Sequence, residues 1–176
     1  CISIENVDTD DGTLDIYMTN QPGCSYYDEI NNLLFDTTID EATCESSNTN
    51  GVYFDGVIGG FQFYLEGITV EGTSGGTAAE NFDEVNVNPA TGKVLGISYS
   101  GGVIPVGSDV LTTISFSNAE DEVCFVESGC VDDYDSDPDT PKTIEYDWDS
   151  CSSGTLTQNI MSDINSNAVI TDWGDC

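Results

Sequence analysis

Four aspartates at alternate positions, Asp133, Asp135, Asp137 and Asp139, with Asp132 beside them, are the residues of this chain best spaced for chemistry. Carboxylates two residues apart can converge on a hard cation through oxygen atoms alone, a donor set that suits Ca²⁺. The run opens like an EF-hand loop and departs from it twice. Pro138 stands where a glycine would allow the sharp turn, and Ile144 stands where a bidentate glutamate would close the shell, with Glu145 one residue late. The expectation is a calcium loop of another kind, set against a solvated acidic loop. Asp8, Asp10 and Asp11, just ahead of Gly12, form a second acidic cluster. It reads as a turn between two strands, with calcium binding as the alternative.

The rest of the composition removes most other chemistry. The 176 residues carry 33 acidic side chains against two lysines, with no arginine and no histidine, for a net charge of −31. Without histidine there is no imidazole acid or base, no Ser-His-Asp or Cys-His nucleophile pair and no histidine metal site. Without arginine and with so few lysines, phosphate recognition, nucleic acid and anionic membrane surfaces are excluded as partners. Paired carboxylates could hydrolyse a glycan, but acids are so abundant that no pair stands out, and no enzyme is expected. Tyr26, Tyr27, Tyr53, Tyr99, Trp148 and Trp173 could stack on sugar rings or fill a β core.

The seven cysteines are Cys1, Cys24, Cys44, Cys124, Cys130, Cys151 and Cys176. No CxxC pair occurs among them, so zinc is not expected, and disulfides in an oxidising compartment are. The chain therefore reads as extracellular or displayed at a cell surface. An odd count leaves one cysteine over, and Cys1 is expected to form an intermolecular bridge or carry a lipid. No apolar run is long enough for a transmembrane helix. The first residues lack a charged stretch followed by an apolar one, so any signal has been removed or lies on a longer precursor.

Short strands separated by turn residues must position these groups. Residues 2–7 and 13–20 alternate apolar and polar with period two, as do residues 84–88. Two strands are expected within 54–72, a small-residue loop over 73–81, and further strands within 93–101, 104–118 and 122–127. Residues 21–50, bracketed by Cys24 and Cys44, read as a stapled insertion with a helical turn within 26–35. Residues 128–155, carrying Cys130 and Cys151, read as a second. The tail from 170 reads as a last strand closing at Cys176. Phe61 and Phe63, two apart, belong to a core face. Gly101, Gly102 and Gly107 suit positive φ or close backbone approach, and Pro105 suits a strand start or bulge. The fold class is all-β: one domain over 1–176, a β-sandwich with jelly-roll-like topology and eight or nine strands.

Several of these stretches resemble the cohesin-like β-sandwich modules of large secreted microbial surface proteins, which in turn resemble cohesins and carbohydrate-binding modules. The resemblance lies in the opening strand Gly12–Tyr17, the G-F-Q-F strand Gly60–Phe63, a Ser-Gly-Gly turn, a V-L-G-I-S strand and the hairpin Ile104–Leu111. It ends with Val123-Cys124 and the terminal Gly174-Asp175-Cys176. It implies a nine-stranded jelly-roll-like sandwich used for display, adhesion or assembly. The preferred bridges are Cys24–Cys44, Cys124–Cys176 and Cys130–Cys151.

The functional expectation is a structural one: a subunit of a surface fibre or filament, or a module of an adhesin. It would self-associate into a polymer through strand edges or a donated strand, with residues 2–7 as the candidate for exchange. The charge opposes such assembly unless cations screen it. The alternative is a cohesin-like module that binds a protein partner or a polysaccharide.

Overall fold

Alternation sends successive side chains to opposite faces of a strand, and residues 13–20 show what that does here. Leu14, Ile16, Met18 and Asn20 are buried while the residues between them stay half-exposed. The computed structural model describes residues 1–28, 32–126, 131–132, 145–146, 159–169 and 171–174. The first strands are β1 (Ile2–Asp8), β2 (Thr13–Asn20), β3 (Gly23–Tyr27), β4 (Leu33–Asp36) and β5 (Val52–Phe54), with a one-turn helix α1 (Glu41–Cys44) between the last two. Then come β6 (Gly60–Glu66), β7 (Thr69–Ser74), helix α2 (Gly76–Asn81), β8 (Glu84–Asn88), β9 (Lys93–Ile97) and β10 (Gly107–Ser117). The remaining strands are β11 (Cys124–Phe125), β12 (Val131–Asp132), β13 (Glu145–Tyr146), β14 (Ile160–Ser162) and β15 (Ala168–Val169).

These strands form two larger antiparallel sheets and two small ones. One large sheet has the order β1-β2-β10-β7. The other runs β15-β14-β6-β9-β8, with β11 also on β6. A three-stranded sheet, β4-β3-β5, stands apart from both, and β12 pairs with β13. The two larger sheets share one hydrophobic core. Leu14, Ile16, Val70, Ile114 and Phe116 enter it from the first, and Phe61, Phe63, Leu65, Val94 and Met161 from the second.

Phe63 is at the centre of the packing and has no exposed surface. Its ring stacks on Phe61 at 5.7 Å, meets Phe125 edge-on at 5.6 Å and lies 6.3 Å from Trp173. Two buried asparagines tie separate strands together through backbone carbonyls. Asn20 donates to Gly56 O and Pro105 O, joining the end of β2 to the approaches to β6 and β10. Asn159 accepts from Tyr64 N and donates to Val126 O, holding β14 and the end of β11 along the same flank of β6.

The structure corrects several local expectations. No helical turn occurs in the described part of 26–35. Tyr26 and Tyr27 pair with Leu34 and Leu33 across β3 and β4 instead, because these β-favouring side chains pack across a hairpin. Asp28 closes that hairpin by accepting Asn32 N. The helical turn forms at α1, where Asp40 caps it by accepting Thr43 N. The expected loop over 73–81 contains α2. Gly75 and Gly76 both take positive φ and turn the chain, after which the Ala-Ala-Glu run favours helix and Ala78 is buried in the core. Gly76 also passes so close to Leu111 that a Cβ would lie 2.4 Å from its carbonyl oxygen.

The tail contributes a single bridge rather than a full strand in its described part, with Trp173 parallel to Ile2. Of the three glycines singled out, Gly101 has φ +80° and Gly102 passes against Asn81 O, while Gly107 simply opens β10 with room around it. The second insertion, 128–155, is described only at β12 and β13.

Phe63→Ala is expected to cost about 3–5 kcal/mol through lost burial and an unfilled cavity. Tyr99→Ala, at a side chain 74% exposed, should stay within about 0.5 kcal/mol of the parent. Chemical denaturation of both variants checks the contrast.

Candidate functional site

The insertion between β2 and β6 builds a small platform outside the shared core. Cys24, in the middle strand of the three-stranded sheet, is joined to Cys44 at the end of α1, as the bracketing of this segment implied. The bond holds α1 against the sheet, and both sulfurs are buried. Gly51 is required beside it, since a Cβ there would lie 2.6 Å from Cys24 Sγ and 2.9 Å from Cys44 Sγ. Gly23 leaves room for the Phe35 ring in the same way.

What this platform presents is apolar. β4 is a terminal strand of the sheet, and Leu33, Leu34 and Phe35 are 38%, 39% and 49% exposed. Val52, on β5 at the other side of the sheet, is equally exposed at 49%. Isolated apolar residues at a surface are ordinary, and here four share one small sheet. The sequence contained one sign of this: a run of three large apolar residues, without alternation, inside an otherwise polar insertion.

A groove of about 890 Å³ lies where the platform meets the rest of the fold. Phe35 and Val52–Asp55 line it from the platform, and Asp163 and Asn165–Val169 from the β14–β15 hairpin. Ile2, Met18, Ile58 and Met161, all buried core residues, underlie it. The hairpin wall is shaped by Asp163, which accepts the backbone N–H groups of Asn165 and Asn167 and the side-chain amide of Asn167. Cys1 also lines the groove, and is free and exposed.

The acidic cluster at Asp8, Asp10 and Asp11 is occupied with turn-making. Asp8 accepts the N–H groups of Asp10 and Asp11 between β1 and β2. Among the described residues no three His, Cys, Asp or Glu side chains are grouped to hold a metal ion. The other calcium candidates, Asp133, Asp135, Asp137 and Asp139, lie outside the described residues. So do Cys130, Cys151 and Cys176, while Cys124 is disulfide-bonded. Among the described residues no helix is long and apolar enough to cross a membrane.

The proposed aromatic platform is dispersed. Tyr26, Tyr27 and Tyr53 sit in the three-stranded sheet, Trp173 packs into the core, and Trp148 lies outside the described residues. Tyr99 stands out on the loop after β9, and Asp83 holds that loop. The Asp83 carboxylate accepts the N–H groups of Tyr99 and Ser100 and the hydroxyls of Ser98 and Ser100. These donors, led by Ser100 N–H, stabilise the charged form and push its pKa down to about 2.

Comparison of the chain with family models, with curated proteins and with solved structures finds no match in any of the three.

Two outcomes follow from the site. Replacing Cys24 and Cys44 together by serine should cost roughly 2–4 kcal/mol, as expected for freeing a loop of this size. Hydrogen exchange should place the loss in β3–β5 before the larger sheets. Asp83, ionised more readily when folded than its ordinary pKa of 3.8, supplies stability that is complete above that value and disappears as pH falls toward 2. Asp83→Asn should flatten this acid limb of the melting-temperature profile.

Proposed function

We propose that this chain is an extracellular structural module. In this reading it is a cohesin-like β-sandwich of jelly-roll topology that joins a surface fibre, filament or adhesin through its strand edges. The strand order supports the topology. With the three-stranded platform and the β12–β13 pair set aside, the chain crosses between the two large sheets at β2→β6, β6→β7, β7→β8, β9→β10 and β10→β11. Repeated crossing of this kind suits a jelly roll or another Greek-key sandwich rather than a meander. The Cys24–Cys44 disulfide supports an oxidising, extracellular setting.

The observation that carries the assembly reading is β4. Proteins that stay monomeric blunt their terminal strands with charge, proline or a covering loop. β4 instead shows three successive large apolar residues. Two copies meeting along this edge would bury them and pair their backbones. Net charge opposes that meeting, so divalent cations, calcium first among them, would screen and bridge the carboxylates. Cys1 could then lock neighbouring copies with a disulfide.

Electron microscopy of the purified protein with calcium and with chelator tests this reading. Ordered polymers are expected with calcium, dispersal with chelator, and a failure of Leu34→Lys to polymerise although it folds. Monomers under every condition would overturn assembly and favour a cohesin-like module that binds a protein or polysaccharide.

A further inference from the structure

The groove beside the platform is lined by two terminal strands of different sheets. β5 ends the three-stranded sheet and β15 ends the larger one, and Val52–Phe54 and Ala168–Val169 both line the groove. A terminal strand offers a row of backbone N–H and C=O groups to any extended chain that lies along it. One β15 acceptor is already engaged, since Val169 O receives the Thr171 hydroxyl. β5 has its free side chain in the same place, as Val52 is half-exposed.

The base of the groove and its rim differ in chemistry. The base takes its apolar surface from Phe35, Val52, Phe54, Ala168 and Val169, over the buried Ile2, Met18, Ile58 and Met161. Glu41, Glu45, Asp55, Asp163 and Asp172 stand around it, and none of the described lining residues is a lysine or arginine. Its volume of about 890 Å³ lies near the upper end of the range of roughly 300–1,000 Å³ for ligand sites. An extended segment of about five residues is of ordinary strand length.

We infer that this groove binds an extended, basic segment of a different protein, which adds to β5 as a fourth strand of the platform. Alternate apolar side chains of the segment would enter the base, and lysine or arginine between them would face the rim. Charge selects the occupant. A second copy of this chain, with two lysines against 33 acids, would bring its own carboxylates to a rim that repels them, whereas a basic segment is steered toward it. The site shares Phe35 with β4 but uses the β5 edge, and it does not require self-assembly.

The test is titration of the protein with a capped synthetic peptide of alternating lysine and valine, read by calorimetry and by backbone NMR shifts. Shifts should concentrate at β5 and the β14–β15 hairpin. Val52→Lys should weaken binding by about tenfold or more. Val7→Lys, which adds the same charge at an exposed residue of β1 away from the groove, should change it by less than about threefold. N-methylation of alternate peptide amides, which removes the strand-pairing donors and leaves the charge, should weaken binding as much as Val52→Lys. Equal effects of the two lysine variants, or no effect of N-methylation, would reduce the interaction to general attraction by an acidic surface and overturn the inference.

Discussion

The apolar contact between the two larger sheets has to hold against a self-repulsion that few chains of this length carry. Net charge far from zero works against any compact state, and here it reaches −31. What opposes it is non-directional burial, concentrated where Phe61, Phe63, Phe125 and Trp173 pack ring against ring. Two neighbouring strands of the second sheet, β6 and β11, meet in that cluster, and the tail joins it through Trp173. The platform, the groove and the hairpin walls are all attached to this core by short connections, so their geometry depends on it.

Carboxylates that lack cations have found another use. Asp8, Asp28, Asp36, Asp40, Asp55, Asp83 and Asp163 each accept at least one backbone N–H in a turn, a helix start or a loop. Charge-assisted bonds of this kind are stronger than neutral ones and satisfy turn donors that would otherwise face water. Where hydroxyls join in, as Thr38 does at Asp36 and Thr43 at Asp40, the carboxyl is held below its ordinary pKa. Acidic composition is in this sense built into the loops as well as spread over the surface. The one described lysine, Lys93, lies over the Tyr64 ring at 5.9 Å.

The large sheets were legible wherever a strand buries only one face. β2 and β8 coincide with their alternating segments, and Phe61 and Phe63 enter the core as their spacing implied. The Cys24–Cys44 bond followed from the bracketing of a polar insertion. α2 was hidden because a Gly-Gly pair, which here turns the chain into a helix, is also the commonest mark of a loop. The β3–β4 hairpin was hidden because a cluster of Tyr and Leu residues has no period that separates strand from helix at that length. The groove could not be read at all. Its lining comes from residues 1–21, 25–58 and 161–172, and only the sheet order brings those segments together.

The short parallel contact between β1 and the tail has a mechanical meaning. Ile2 N donates to Asp172 O, and Gly174 N donates to Ile2 O, so the first strand and residues 172–174 lie side by side and point the same way. Tension drawing residue 1 backward along its strand and residue 174 forward along its own makes the two slide past each other. Their hydrogen bonds, together with the β1–β2 ladder behind them, are then strained in shear and must fail together. In an antiparallel arrangement the same pull would peel the bonds apart one at a time. A module loaded through these two points resists extension along the direction in which its first strand runs.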